Sequence, residues 1–275
     1  MKHLLLIGFL LLPPWKIFPQ SYSWLASYDS SNAIAQRIAP PTGFQRVPSS
    51  PNTFANWLRH LPLKPGHPMV YLYNGIEKPN QNAHFAVLDI DVGHKDLQQC
   101  ADAVIRLRAE YLYSRKLYHD IHFNFTSGDR IDFMNWVKGY RPVVRGDAVN
   151  WLKSGITGAS YKSFRQYLNE IFMYAGSLSL SEELKAVPDI REMRIGDVFI
   201  QGGSPGHAIL VVDMAEARAT GKKVFLLAQS FMPAQDIHIL KNPTDHTLSP
   251  WYALDFGDTL ITSEWIFTKH DLKRF

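Results

Sequence analysis

The chain has 275 residues, of which 46% are hydrophobic, 13% aromatic and 20% charged, with 29 Lys+Arg against 25 Asp+Glu and a single cysteine. The apolar share supports a real core and excludes whole-chain disorder, collagen and coiled coil, and one thiol excludes a disulfide scaffold. The net charge is +4, but Lys2 and Lys16 fall in the first 23 residues, which hold no acid; the rest is nearly neutral, with its cations scattered, so no nucleic-acid partner is expected.

Lys2 and His3 precede the apolar run Leu4 to Leu12, the charged and hydrophobic regions of a secretory signal. The run is about half the length needed to span a bilayer, and Pro13-Pro14 ends it. Residues 1–23 therefore read as a signal peptide, with Ser21-Tyr22-Ser23 before the cut. Export to the periplasm or beyond follows, with membrane contact only through the leader if it stays uncleaved.

Residues 24–50 are polar and Pro/Ser-rich and read as a linker draped on one domain, 51–275. Phe54 to Leu61 reads as a short amphipathic helix. Met69 to Tyr73 and Ala83 to Val92 read as a hairpin about the turn Asn74-Gly75. Asp96, with Gln99 three residues on, predicts a capped helix from Leu97 to about Tyr113. Its apolar side is Leu97, Cys100, Val104, Leu107 and Tyr111. Ile121 to Phe125 alternates like a strand, Ser127-Gly128-Asp129 is a turn, Phe133 to Val137 is helical, and Gly139 to Gly158 is loop-rich. Ser160 to Tyr174 is a second strong helix ended by Gly176, and Ser181 to Lys185 a shorter one before Pro188. Four strands follow: Val198 to Gln201, His207 to Asp213, Val224 to Gln229 and Ile237 to Leu240. Helices first and an antiparallel sheet afterwards is an α+β layout.

A thiol hydrolase needs a Cys held as thiolate, a His that takes its proton, and a polar group that orients the His. A helix N-terminus favours the thiolate, and Cys100 lies near such a start. His207 opens its strand directly after a Gly/Pro turn, which anchors it and presents it to the open side. If Asp213 pairs near Val224, His207 lies opposite Ser230 and beside Gln229, whose amide can fix the imidazole tautomer. Asp213 shares the strand face of His207 but is roughly 20 Å away, so Gln229 is the better orienter and Ser230 the fallback. Two bland readings stand beside this. A free Cys on an apolar stripe is a common form of buried, inert thiol, and a His at a strand start can simply bond a loop.

Other constellations are weaker. His84, Asp89 and Asp91 offer a hard-cation site and hence a metal-assisted hydrolase, though charges at a strand end are commonly just solvated. His119 and His122 lack the i, i+4 helical pairing of a zincin. His238 reads as a surface or half-buried strand residue. Gly202-Gly203 with Gly206 leads into a strand, unlike a phosphate loop. Trp136, Tyr140, Trp151, Trp251, Tyr252 and Trp265 offer an aromatic cleft for a non-catalytic envelope protein that binds glycan or peptide. No cofactor and no bound metal is expected.

Two resemblances can then be named. The segments DLQQCADAVIRLRAEYLY (96 to 113), IHFNFTSGDR (121 to 130), YAGSLSLSEEL (174 to 184), GDVFIQGGSPGHA (196 to 208), LLAQSFMPAQDIHIL (226 to 240) and SPWY (249 to 252) resemble an uncharacterised family of exported bacterial proteins of about this size, a domain of unknown function. Gly196-Asp197-Val198, with Gly206-His207-Ala208 and the apolar strand behind it, is remotely similar to the His half of papain-like cell-wall amidases and endopeptidases. That resemblance implies a papain-like fold, with helices packed on an antiparallel sheet, and Cys100, His207 and Gln229 as nucleophile, base and orienter. It departs from the pattern in having Gln98-Gln99 before the Cys and in the long span from Cys100 to His207. The function it implies is cleavage of amide bonds in a peptide or cell-wall-like substrate.

Overall fold

The computed structural model describes residues 21–275. Most of the expected leader therefore lies outside the described residues, but its last three do not. Tyr22 is buried against Trp24, Tyr28 and Trp57, and its hydroxyl donates to the Trp57 carbonyl at 3.0 Å. A cut after Ser23 would remove this packing.

Residues 24–50 are not a linker. They contain helix α1 (Ile34–Arg37) and strand β1 (Phe44–Arg46). Ile34 and Ile38 are buried, and β1 pairs antiparallel with the central sheet. The polar composition concealed a segment whose larger apolar residues, Trp24, Leu25, Tyr28, Ile34, Ile38 and Phe44, pack on the core.

Helix α2 (Phe54–Arg59) is capped by Thr53, whose side chain accepts from the Asn56 N–H. Strand β2 (His84–Val87) follows. The hairpin expected from residue 69 onward does not form: Tyr71 and Leu72 make only isolated bridges, to Glu77 and Gln235. Gln81 and Asp236 side chains bind the Val70 and Tyr71 N–H groups instead. Helix α3 (Cys100–Ser114) starts three residues later than its sequence pattern suggests.

Strands β3 (His122–Asn124) and β4 (Arg130–Asp132) form a hairpin about the Ser127-Gly128-Asp129 turn and lead into α4 (Phe133–Val137). The loop expected at 139–158 is instead a hairpin, β5 (Tyr140–Arg145) with β6 (Ala148–Lys153). Helix α5 (Tyr161–Tyr174), capped by Ser160, buries Phe164, Tyr167, Leu168, Ile171 and Phe172. Helix α6 is Ser177–Glu183.

The remaining strands are β7 (Lys185–Ala186), β8 (Val198–Gln201), β9 (His207–Ala217), β10 (Lys223–Gln229), β11 (His238–Leu240), β12 (Tyr252–Ala253), β13 (Thr259–Ile261), β14 (Ile266–Thr268) and β15 (Leu272–Arg274). Nine strands make one antiparallel sheet in the order β2-β11-β10-β9-β8-β15-β7, with β1 also on β9 and β12 also on β10. The architecture is thus mixed α and β, with six α-helices and a large antiparallel sheet among the described residues.

The sheet is covered on both faces. Ala208, Leu210 and Val212 belong to the core shared with α2, α3 and α5. Ile209 and Val211 pack with Phe225, Leu227, Tyr252, Leu260 and Phe267 from the C-terminal segments. Burial on both sides explains why β9 reads as a nearly continuous apolar run.

Candidate functional site

Cys100 is the first residue of α3, with Gln99 as N-cap. The expected cap, Asp96, is engaged elsewhere: its Oδ1 accepts from the Ala234 backbone N–H at 2.7 Å and from Gln99 Nε2 at 3.0 Å. Asp102 replaces it, Oδ2 accepting from the Gln99 N–H at 3.1 Å. The change matters chemically, because the first helical turn is where unpaired N–H groups and the dipole favour negative charge.

The thiol is half-buried rather than sealed in the core. Burial pushes it above the ordinary thiol range, against backbone N–H groups of Ala208, Ala101 and Cys100 itself that pull it down.

His207, first residue of β9, is almost fully buried. Phe231, Trp265 and Phe267 surround the ring, with centroids at 4.8, 5.1 and 5.9 Å. This apolar box lowers its pKa to about 4; the bond to Gln229 opposes that, and Lys78 adds to it. His207 is therefore a neutral imidazole at pH 7. Its Nε2 lies 3.0 Å from Gln229 Oε1.

Gln229 ends β10 and is the orienter expected from the sequence. The register differs from the simple one: Asp213 pairs with Leu226, and a bulge between Leu226 and Leu227 brings Ala228 opposite Leu210. Gln229 still reaches His207 on the diagonal. Ser230, the fallback, bonds the Gln98 and Gln235 carbonyls instead. Asp213 stays away from the imidazole and binds Arg46 and Arg59.

Cys100 and His207 line one cleft of about 370 Å³, with Asp96, Gln99, Asp102, Phe172, Ser177, Phe231, Met232 and Trp265. Residues 203–206, the turn before β9, also line it. A Cβ on Gly206 would collide with the Gly203 and Gln201 carbonyls and Ser177 Oγ, so the residue before His207 has to be glycine.

Sequence reasoning missed the layer behind Gln229. Glu264 Oε2 accepts from Gln229 Nε2 at 2.7 Å and pairs with Lys78. His238, expected at or near the surface, is fully buried there, because a sheet covered on both faces buries both alternating sets. Its Nε2 is 3.3 Å from Gln229 Nε2. No local motif joins Lys78, Gln229, His238 and Glu264, which meet only through the sheet.

The competing constellations come apart. His84 Nε2 bonds the Pro68 carbonyl, and Asp91 pairs with Arg106 and Arg165. Among the described residues no group of three or more His, Cys, Asp or Glu is placed to hold a metal ion. His122 faces Glu183 at 3.6 Å, and His119 is exposed. Of the six aromatic candidates, Trp136, Trp251 and Tyr252 are core, and Trp265 lines the cleft. No helix among the described residues is long and apolar enough to cross a membrane.

A helix-borne thiol and a strand-borne imidazole that line one cleft over an antiparallel sheet define a mixed α/β protein with a candidate Cys-His cleft. The chain belongs to the family described as domain of unknown function (4846), whose model matches residues 34–274. That match takes in α1 and β1, in keeping with their place in the domain. No curated protein and no solved structure matches the chain.

Proposed function

We propose that the chain is a papain-like cysteine hydrolase, an amidase or endopeptidase acting on amide bonds of peptide or peptidoglycan-like substrates outside the cytoplasm. The observation that carries this reading is the shared cleft: Cys100, first residue of α3, and His207, first residue of β9, both line it, and Gln229 Oε1 anchors the imidazole at 3.0 Å. Papain-like enzymes share this logic of helix start, strand start and polar orienter.

Cys100 attacks the substrate carbonyl while His207 accepts the thiol proton. The carbonyl oxygen gains charge facing the unpaired N–H groups at the start of α3, which stabilise it. His207 then gives the proton to the leaving amine, and an acyl thioester forms. Water, deprotonated by His207, cleaves the thioester and restores the thiol. Because thiol and imidazole both rest neutral, His207 acts as a general base during attack, and no ion pair is held beforehand.

The test is alkylation by iodoacetamide with peptide mapping, together with hydrolysis of peptide and peptidoglycan fragments. Cys100 should label in the folded protein, more slowly in His207→Ala, and hydrolysis should vanish in Cys100→Ser. Absence of labelling in the folded wild type would end the nucleophile reading.

A further inference from the structure

We propose that Glu264, paired with Lys78, is a positioning residue that fixes the direction of the Gln229 amide and through it the tautomer of His207. This rests on the reading of Cys100, His207 and Gln229 as a hydrolase site.

A carboxamide has a donor end and an acceptor end of nearly the same shape. Which end faces the imidazole decides which ring nitrogen carries hydrogen. An oxygen facing Nε2 requires hydrogen on Nε2 and leaves Nδ1 with its lone pair, as a base needs. An NH2 facing Nε2 requires the opposite tautomer, whose lone pair is spent on the amide.

The neighbours of Gln229 settle the choice. The Glu264 carboxylate can only accept, so it takes the NH2 end, at 2.7 Å from Oε2. The second N–H of that group has His238 Nε2 at 3.3 Å. His238 Nε2 is free to accept because its Nδ1–H donates to the Asp236 carbonyl at 2.8 Å. Two independent partners thus demand the same orientation, and Oε1 is left to accept from His207 Nε2–H at 3.0 Å. Of the two, the Glu264 carboxylate is the stronger guide, because its bond is shorter and charge-assisted.

Glu264 is itself held. Lys78, 5% exposed at its side chain, donates to Oε2, and Asn80 Nδ2 donates to Oε1 at 3.2 Å. A carboxylate this enclosed needs a compensating cation, and a base tautomer maintained by a buried ion pair is a dependable one. The arrangement places the ion pair two bonds of the network away from the reacting groups, where it orients without touching substrate.

The experiment is NMR of the His207 ring nitrogens in 15N-histidine-labelled protein, run beside iodoacetamide labelling of Cys100. Wild type should show His207 as the Nε2–H tautomer. In Glu264→Gln the acceptor is no longer obligatory, and in Lys78→Met/Glu264→Leu it is gone with no unpaired charge left behind. The double variant decides the matter if Glu264→Gln fails to fold. The expected result is a His207 tautomer shifted toward Nδ1–H and Cys100 labelling slowed roughly tenfold to a hundredfold, as for loss of a general base. A shifted tautomer with unchanged labelling supports the positioning role and counts against the hydrolase reading. An unshifted tautomer in the folded double variant overturns the proposal, whatever Cys100 does.

Discussion

Cys100, first residue of α3, and His207, first residue of β9, line one cleft, where the backbone N–H groups around the thiol favour its anion. The sulfur is nevertheless pushed up by burial, and His207 is held down at about 4 by its aromatic box. At neutral pH neither group carries charge. The iodoacetamide rate at Cys100 should therefore climb with pH throughout the range from about 5 to 9, where a preformed thiolate–imidazolium pair would give a plateau from the lower pKa upward. A flat profile between about pH 5 and 7 would show that the pair is charged at rest.

His207 also makes the fold acid-sensitive. Its folded pKa lies below the unfolded value, so between about 6.5 and 4 the unfolded chain binds the proton and the native chain does not. Stability is thus complete above the unfolded pKa and falls with the pH down to the folded one. This group alone should cost about 3 kcal/mol across that window. Buried His238, also held down by desolvation, adds in the same direction. Urea midpoints at pH 7 and pH 4.5 measure the loss, and His207→Phe should flatten the slope. Equal midpoints would refute the burial argument.

Asp213 is fully buried and receives Arg59 and Arg46, each at 2.6 Å. It clamps α2 and β1 onto the middle of β9. Asp213→Ala leaves the buried Arg59 guanidinium uncompensated and should cost about 3–5 kcal/mol. A change under about 1 kcal/mol in chemical unfolding would mean that water replaces the carboxylate freely.

These cases show what was legible in the sequence. Local patterns placed α4, α5, β8, β10 and β11 to within one residue, because their periodicity is a local property, but ended β9 at Asp213, four residues before its observed end at Ala217. Spacing and strand order singled out Cys100, His207 and Gln229, and the structure sets Gln229 against His207 and lines one cleft with Cys100 and His207. The start of α3 did not, because Asp96 spends its carboxylate on the Ala234 N–H, 138 residues away in the chain. The β5–β6 hairpin was hidden because only Pro142 in it is fully buried and polar residues interrupt both strands. Glu264 and Lys78 were invisible for a simpler reason: 186 residues separate them, and only the folded sheet makes them neighbours.

Gly206 is constrained by contact, not by its backbone angle. A methyl group there meets the Gly203 and Gln201 carbonyls and Ser177 Oγ. Gly206→Ala should cost about 1–3 kcal/mol through overpacking, and it should slow Cys100 labelling by displacing the adjacent imidazole. Unchanged stability and labelling would show that the 202–206 turn gives way easily.

Asp102 stands on the wall of the cleft, one Oδ bonded to the Gln99 N–H and the other buried without a partner. Burial raises its pKa well above the ordinary carboxylate value, and its charge in turn raises that of Cys100. The folded chain keeps the proton at pH values where the unfolded carboxyl has lost it. Stability from this group is therefore greatest at or below the unfolded pKa and declines as pH rises toward the folded one. Asp102→Asn keeps an oxygen for the Gln99 N–H and removes the titration. The variant should match wild type near pH 4 and exceed it at pH 7 and above, while its Cys100 alkylation profile moves to lower pH. Urea unfolding at both pH values and the alkylation profile check these effects separately. An Asn variant less stable than wild type at pH 7 would mean that the carboxylate has a partner in solution, such as a bound cation or water, that outweighs the cost of burying its charge.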